Sequence, residues 1–412
     1  MAKDQSDYFK EKRVWSKTKD SILGCYLAPY FSKVIPFSKD GIVYVDAFAG
    51  AGVFEDGTPG SPLIALSKLR GAMNKQRQYP PIKIILAEKD EVIRAGLESV
   101  VRKAAGKTGY LQGSRICFVD SFAKAVELSL QVKAHTGKNP STFFYYVDPY
   151  GVKDFRLSLL TQSPVIDHTE VLLNFNSPGF IRDARAALKI AMVEQDENIV
   201  WSDEFPENVE PTARVDRLSK AIGSDDWIEL VNAYGRSEIT HRQLEQEISA
   251  LLCRNAGKNY RYVTNMPIRD VTVKREGNGA IKYRLIHMTN NCDGCVLMND
   301  NMVKRNRDEQ VIQQQLFLVD IDGNDVSSEA VAAAMRDAVM SLPLNKPVTM
   351  WSILADVITE VGVFETSTPL LKTYLGPLIE EGLVERVEKL TPKTRRPKTS
   401  FSGPKIMVYR AR

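Results

Sequence analysis

Five short apolar runs, spread over about a third of the chain, constrain this sequence more than anything else in it. They are IVYVDAF (42–48), KIILAE (83–88), RICFVD (115–120), TFFYYVD (142–148) and EVLLNFN (170–176), all rich in β-branched and aromatic residues. Between them lie stretches of helical spacing such as PLIALSKLRGAM and VIRAGLESVVRKAA. A strand covered on one face alternates apolar with polar residues, whereas a strand covered on both faces is continuously apolar, as these are. The expected fold is therefore α/β, an open, mostly parallel, Rossmann-like sheet with helices on both faces.

At 412 residues the chain exceeds the usual size of one core, so two domains are expected. Residues 177–258, with Trp201, Trp227 and HRQLEQEISALLCRNAGK, read as a largely polar helical insertion. Strand-like chain resumes at YRYVTNMPI (260–268) and IKYRLIHMTNN (281–291). The turn signal Gly277-Asn278-Gly279 between them favours an antiparallel hairpin that completes a first domain, 1–325. Residues 326–345 read as a capped helix, SSEAVAAAMRDAVMS, and a linker, SLPLNKP. Residues 346–412 then read as helix TMWSILADVITEVGVF, a break at ETSTP, helix LLKTYLGPLIEEG and two strands, LVERVEKL and KIMVYRAR. Helix, turn, helix and hairpin is the order of a winged helix-turn-helix.

Hydrophobic residues at 43% and charged residues at 26% exclude a mainly disordered or fibrous chain. The five cysteines are too few for a disulfide framework and suit a reducing compartment. The first residues are charged where a signal peptide is apolar, and no apolar stretch reaches the roughly 18 residues of a membrane span. A cytoplasmic protein with no membrane contact is expected. The net charge of +4 conceals an asymmetry: residues 386–412 hold nine Lys or Arg against Glu388, so the rest of the chain is mildly acidic. In that tail Lys393, Arg395, Arg396, Lys398 and Lys405 are candidates to bind the phosphates of DNA or RNA. Each phosphate neutralised would steepen the salt dependence of binding by about 0.9.

The chemistry-bearing residues fall at the carboxyl ends of the predicted strands, where open α/β sheets bind ligands. The first run ends in Asp46-Ala47-Phe48-Ala49-Gly50-Ala51-Gly52. A dinucleotide fingerprint needs a third small residue three positions on, but Glu55 stands there, and the loop continues to Ser61-Pro62, read as an N-cap and first helical residue. S-adenosylmethionine, which has no phosphate, suits this loop better than NAD or FAD. Asp46 is expected to accept from its ammonium group, with Phe48, Gly50 and Gly52 lining the ligand. Glu88 is expected to accept from the ribose hydroxyls, and Asp120-Ser121 from the adenine amine, with Phe122 covering the ring. The bland alternative makes Glu88 and Asp120 helix caps or surface acids.

Asp148-Pro149-Tyr150-Gly151 follows the fourth run. An exocyclic amine on a nucleobase is a poor nucleophile because its lone pair is delocalised. Asp148 and the Pro149 carbonyl can accept its hydrogens, and Tyr150 can stack the base, which must be single-stranded or flipped from its duplex. Asn174 and Asn176 are equally readable as substrate-orienting groups and as turn residues. Cys292-Asp293-Gly294-Cys295 has half-site spacing but no second pair, so structural thiols and no metal are expected. Trp15, Lys17 and Lys19 read either as an anchor at the cofactor's edge or as a solvated helix.

WSKTKDSILGCYLAPYF, YVDAFAGAG with GSPLIAL, LAEKD, FYYVDPYG, VLLNFN with Arg182, and YRLIHMTNNCDG with Met298 together resemble the three-Cys-motif partner protein family, TcmP, over roughly residues 8–310. The resemblance implies a class I methyltransferase fold with a C-terminal winged helix. It implies S-adenosylmethionine-dependent methyl transfer with Asp46, Gly50 and Gly52 in the first motif, Glu88 in the second and Asp148 to Gly151 in the fourth, and a bacterial or phage source. Asp-Pro-Tyr-Gly departs from the Asp-Pro-Pro-Tyr of adenine N6-methyltransferases and is closer to the Asp-Pro-Phe-Gly of tRNA guanine-N2 dimethyltransferases. The family's name implies a partner protein with three cysteines that resembles radical S-adenosylmethionine enzymes. The leading expectation is methylation of an exocyclic amine in DNA or RNA. Its rivals are a non-catalytic nucleic-acid-binding partner and a methyltransferase of a small molecule or protein.

Overall fold

The computed structural model describes residues 14–38, 40–106, 114–133, 141–161, 166–190, 210–270, 280–317, 326–387 and 407–411. The chain begins α1 (Val14–Val34), β1 (Ile42–Asp46), α2 (Ser61–Met73), β2 (Ile82–Ala87), α3 (Glu91–Gly106), β3 (Ser114–Val119), α4 (Phe122–Lys133) and β4 (Thr142–Val147). It continues through α5 (Ser158–Thr161), β5 (Thr169–Phe175), α6 (Ser177–Leu188), α7 (Pro211–Ile222), α8 (Trp227–Gly235) and α9 (His241–Gly257). Then come β6 (Tyr262–Asp270), β7 (Ala280–Thr289), α10 (Cys292–Phe317) and α11 (Ser328–Met340). The last elements are β8 (Val348–Thr349), α12 (Met350–Val361), α13 (Ser367–Leu370), α14 (Gly376–Glu380), β9 (Val384–Arg386) and β10 (Met407–Arg410).

Seven strands form one mixed sheet in the order β3-β2-β1-β4-β5-β7-β6. β1 to β5 are mutually parallel, and β7 runs antiparallel to both β5 and β6, so the hairpin closes one edge as its turn signal implied. The Gly277-Asn278-Gly279 turn itself lies outside the described residues. The arrangement is consistent with a Rossmann-like fold.

The period-2 geometry of a strand explains why the runs are apolar throughout. Val43, Val45, Phe143, Tyr145, Val171 and Leu173 enter one core, while Ile42, Tyr44, Phe144, Tyr146 and Leu172 enter the other. The first core is filled by α4 and by α6 to α9, the second by α1, α2 and parts of α3 and α10. The helices read as a polar insertion are therefore a covering layer. Trp227 is fully buried and donates to the Ser219 hydroxyl at 3.0 Å; Trp201 lies outside the described residues.

A third core unites α11, α12, α13 and α14 with Val384 of β9 and Val408 of β10, and it also takes in Tyr262 of β6 and Cys295 and Val296 of α10. α11, read as part of a connecting segment, is a member of this core. The stretch read as one helix, LLKTYLGPLIEEG, is broken by a π turn over residues 371–375 ahead of Gly376 and Pro377. Pro377 has no N–H to give its preceding turn, which is the local reason for the break. Among the described residues no helix is long and apolar enough to cross a membrane.

Candidate functional site

Strand order reverses between β1 and β4: from β1 the chain moves outward to β2 and β3, and from β4 it moves the other way to β5. Such a point leaves a crevice at the carboxyl ends of the two strands. Asp46 ends β1 in register with Tyr146 of β4, and Asp148 follows two residues later. The acids thus face one crevice. Glu88, Asp120 and Asp148 each stand one residue beyond β2, β3 and β4, at the same edge of the sheet.

Asp46 is wholly buried, and neither carboxylate oxygen has a well-formed hydrogen bond. Burial pushes its carboxyl up to about 7; the Ser61 hydroxyl and the Phe48 backbone N–H lie close enough to offset this in part, while Asp148 and Asp20 add to it. Tyr44 and Tyr146, buried beside these acids, have phenols raised well above the ordinary value, first by burial and then by the acids' charge.

The loop after β1 shapes the floor. Gly50 and Gly52 adopt φ of 58° and 75°, and a Cβ on Gly52 would come within 2.7 Å of Leu97. The loop folds back on itself, with Gly60 donating to the Gly52 carbonyl at 2.9 Å and Val53 bridging Pro59. Phe48 is half-buried against Phe122. The α2 cap is Gly60, one residue before the Ser61 expected from the sequence. Ser61 is instead the first helical residue, and its hydroxyl serves Asp46.

Asp148 is engaged on both oxygens. Lys19 of α1 forms an ion pair with Oδ2, and Asn174 Nδ2 donates to Oδ1 at 2.6 Å. Asn174 reaches it because Leu173 is paired with Val147, which sets the following residues side by side. Lys19 is buried together with Thr18 and Asp20, so this part of α1 is no solvated face; its ammonium also lies 6.0 Å from the ring centre of Tyr283 on β7. Lys17 is exposed, and the side chain of Trp15 lies outside the described residues. Pro149 is buried, Gly151 adopts φ of 79°, and Tyr150 is 54% exposed at the rim.

The other expected cofactor residues divide. Glu88 is half-buried, and Oε1 accepts from the Asp90 backbone N–H at 2.9 Å. Asp90 caps α3. Asp120 and Ser121 are exposed; the Ser121 hydroxyl donates to Asp120 at 3.0 Å, and it stands at the start of α4. Phe122, expected over the adenine, is buried in the core behind β3, stacked on Phe155 with centroids 6.4 Å apart.

Of the two asparagines, only Asn174 joins the site. Asn176 caps α6, accepting from Gly179 N at 2.8 Å. Cys292 and Cys295 begin α10, half-buried and buried, and burial pushes both thiols up. Lys393, Arg395, Arg396, Lys398 and Lys405 lie outside the described residues. Sequence reasoning missed Asp20, Tyr283 and the pairing of Lys19 with Asp148. One signal was available: Lys19 shares a helical stripe with Leu23, Tyr26, Leu27 and Tyr30, all buried. Compared with known protein families and with curated proteins, the sequence has no match in either.

Proposed function

We propose that this chain is an S-adenosylmethionine-dependent methyltransferase acting on an exocyclic amine of a nucleobase in DNA or RNA. The observation that carries the reading is Asp46, a fully buried carboxylate with no well-formed hydrogen bond, at the switch point of the sheet and next to Asp148. A buried acid left so is costly, and a cationic ligand is its complement. S-adenosylmethionine brings an ammonium group for Asp46 and a sulfonium into a crevice where Asp20, Asp46 and Asp148 outnumber Lys19. Gly50 and Gly52 let the backbone pass close to the ligand, and Glu88 keeps one carboxylate oxygen for the ribose. The sheet order, with its antiparallel β7, supports a class I methyltransferase fold.

In the reaction the amine nitrogen forms a bond to the methyl carbon as the carbon–sulfur bond breaks. The electron pair of the broken bond stays on sulfur, leaving the thioether, and the nitrogen passes a proton to Asp148 and on to solvent. Asp148 and the Pro149 carbonyl hold the amine's hydrogens, Asp148 favours the positive charge that grows on nitrogen, and Tyr150 offers an exposed ring for stacking. The C-terminal module reads as a winged helix, and the basic residues Lys393, Arg395, Arg396, Lys398 and Lys405 of its sequence hold the polymer. The resemblance to the TcmP group adds a companion protein with three cysteines as an expected partner.

The test is transfer of labelled methyl from S-adenosylmethionine to separate DNA, RNA and protein pools, with mass spectrometry of the product. Asp148→Ala should slow transfer to nucleic acid about 10²- to 10⁴-fold; a wild-type rate would refute the mechanism. The Lys19–Asp148 pair favours one second reading, a nucleic-acid-binding scaffold whose site is already neutralised. That reading requires calorimetry to find no cofactor binding while nucleic-acid binding survives substitution of Gly50 and Asp148.

A further inference from the structure

Asp148 has a difficulty as an amine acceptor: Lys19 and Asn174 already donate to its two oxygens. An amide donor is compatible with the task, because a carboxylate has about four lone-pair sites and Asn174 adds no charge. An ammonium is not. It neutralises the carboxylate and opposes the positive charge that develops on the attacking nitrogen. For methyl transfer Lys19 must leave Asp148, and something must draw it away.

The amino-acid end of the cofactor has the chemistry to do so. Its ammonium complements Asp46. The α-carboxylate is bonded to the same carbon, so it must lie within about 3 Å of that ammonium, beside Asp46 and its electrostatic neighbour Asp148. Lys19 is the ammonium at hand, a compact charge on a flexible four-carbon stem that swings between acceptors more readily than a planar guanidinium.

We propose that Lys19 exchanges partners as the site fills, holding Asp148 before cofactor binds and passing to the cofactor's α-carboxylate afterwards, so that Asp148 becomes an amine acceptor only in the cofactor complex. The inference rests on the S-adenosylmethionine reading. It makes Lys19 a positioning residue that acts through Asp148 and places cofactor before base in the binding order.

The experiment is calorimetry on the full-length chain with S-adenosylhomocysteine and with methylthioadenosine, which keeps the adenosine and the sulfur but lacks the amino-acid group. Lys19→Met should weaken S-adenosylhomocysteine about tenfold or more and leave methylthioadenosine unchanged, with Lys19→Arg restoring part of the loss. Equal effects on both ligands, or none, would overturn the exchange. Methylthioadenosine binding also reports that the variant is folded. If Lys19→Met does not fold, a structure of the wild-type chain with S-adenosylhomocysteine decides: Nζ on the ligand carboxylate supports the exchange, and Nζ still on Asp148 overturns it. A wild-type chain that binds neither ligand removes the cofactor reading itself, and the exchange with it.

Discussion

Asp46 and Glu245 are both buried carboxylates in the α/β body, and they are treated in opposite ways. Glu245, on α9, accepts from Arg284 Nε at 2.9 Å, from a second guanidinium nitrogen of Arg284 and from the Ser177 hydroxyl. Every strong donor it needs comes from the chain. Asp46 has only partial help from Ser61 and Phe48, and its acidity is displaced accordingly. The difference separates a charge held for architecture from a charge kept for a ligand: the first is complete within the fold, the second is completed from outside.

The largest stability effect is expected at the completed pair. Glu245→Ala leaves Arg284 buried without its counter-ion and should cost up to about 5 kcal/mol in urea unfolding, while a Glu245→Leu/Arg284→Met double variant should cost much less. Additive losses would mean that the two residues are not one unit. Asp46→Asn should act in the other direction. With the carboxyl raised to about 7 in the fold against 3.8 when unfolded, the folded chain holds a proton that the unfolded chain has lost between those values. Wild-type stability therefore falls as pH rises from about 4 to 7 and then levels off. The Asn variant should lack that slope and be more stable by roughly 4 kcal/mol above pH 7. Parallel pH profiles of the two proteins would place a strong partner on Asp46 and erase the contrast with Glu245. Gly52→Ala should cost about 2 kcal/mol, from positive φ and contact with Leu97. Asn176→Ala should cost only about 1 kcal/mol, the value of a helix cap, with cofactor affinity unchanged. A shift in that affinity would return Asn176 to the site.

The Asp46 side of this contrast is legible in the sequence. The five strands were legible because continuous apolar runs have few other uses, and the acids at their ends followed from the edge where such sheets bind ligands. Phe122 is ambiguous in the sequence because an aromatic just past a strand fits a lid and a core equally well, and its stacking on Phe155 is a contact that local pattern does not carry. The cap of α2 moves by one residue because the Ser61 hydroxyl turns toward Asp46 instead of accepting from the free N–H groups of its own helix. Lys19 was the hardest to place. Its partner is 129 residues away in sequence, and local pattern carries no information on a contact of that separation. Glu245 and Arg284 were invisible for the same reason: each looks like an ordinary surface charge until two elements dock.

The third core has a practical bearing on how the C-terminal module is studied. Tyr262, Cys295 and Val296 share the third core with α12, Asn299 donates to the Glu365 carbonyl at 2.8 Å, and Asp300 accepts from Ser367. Cutting the chain near residue 345 would strip α12 and the elements after it and leave an oily wound on β6, α10 and α11. A truncated protein that no longer touches DNA or RNA would then report on its own clumping as readily as on recognition. Neutralising Lys393, Arg395, Arg396, Lys398 and Lys405 in the intact chain alters none of these seam residues and asks the question of the charges alone.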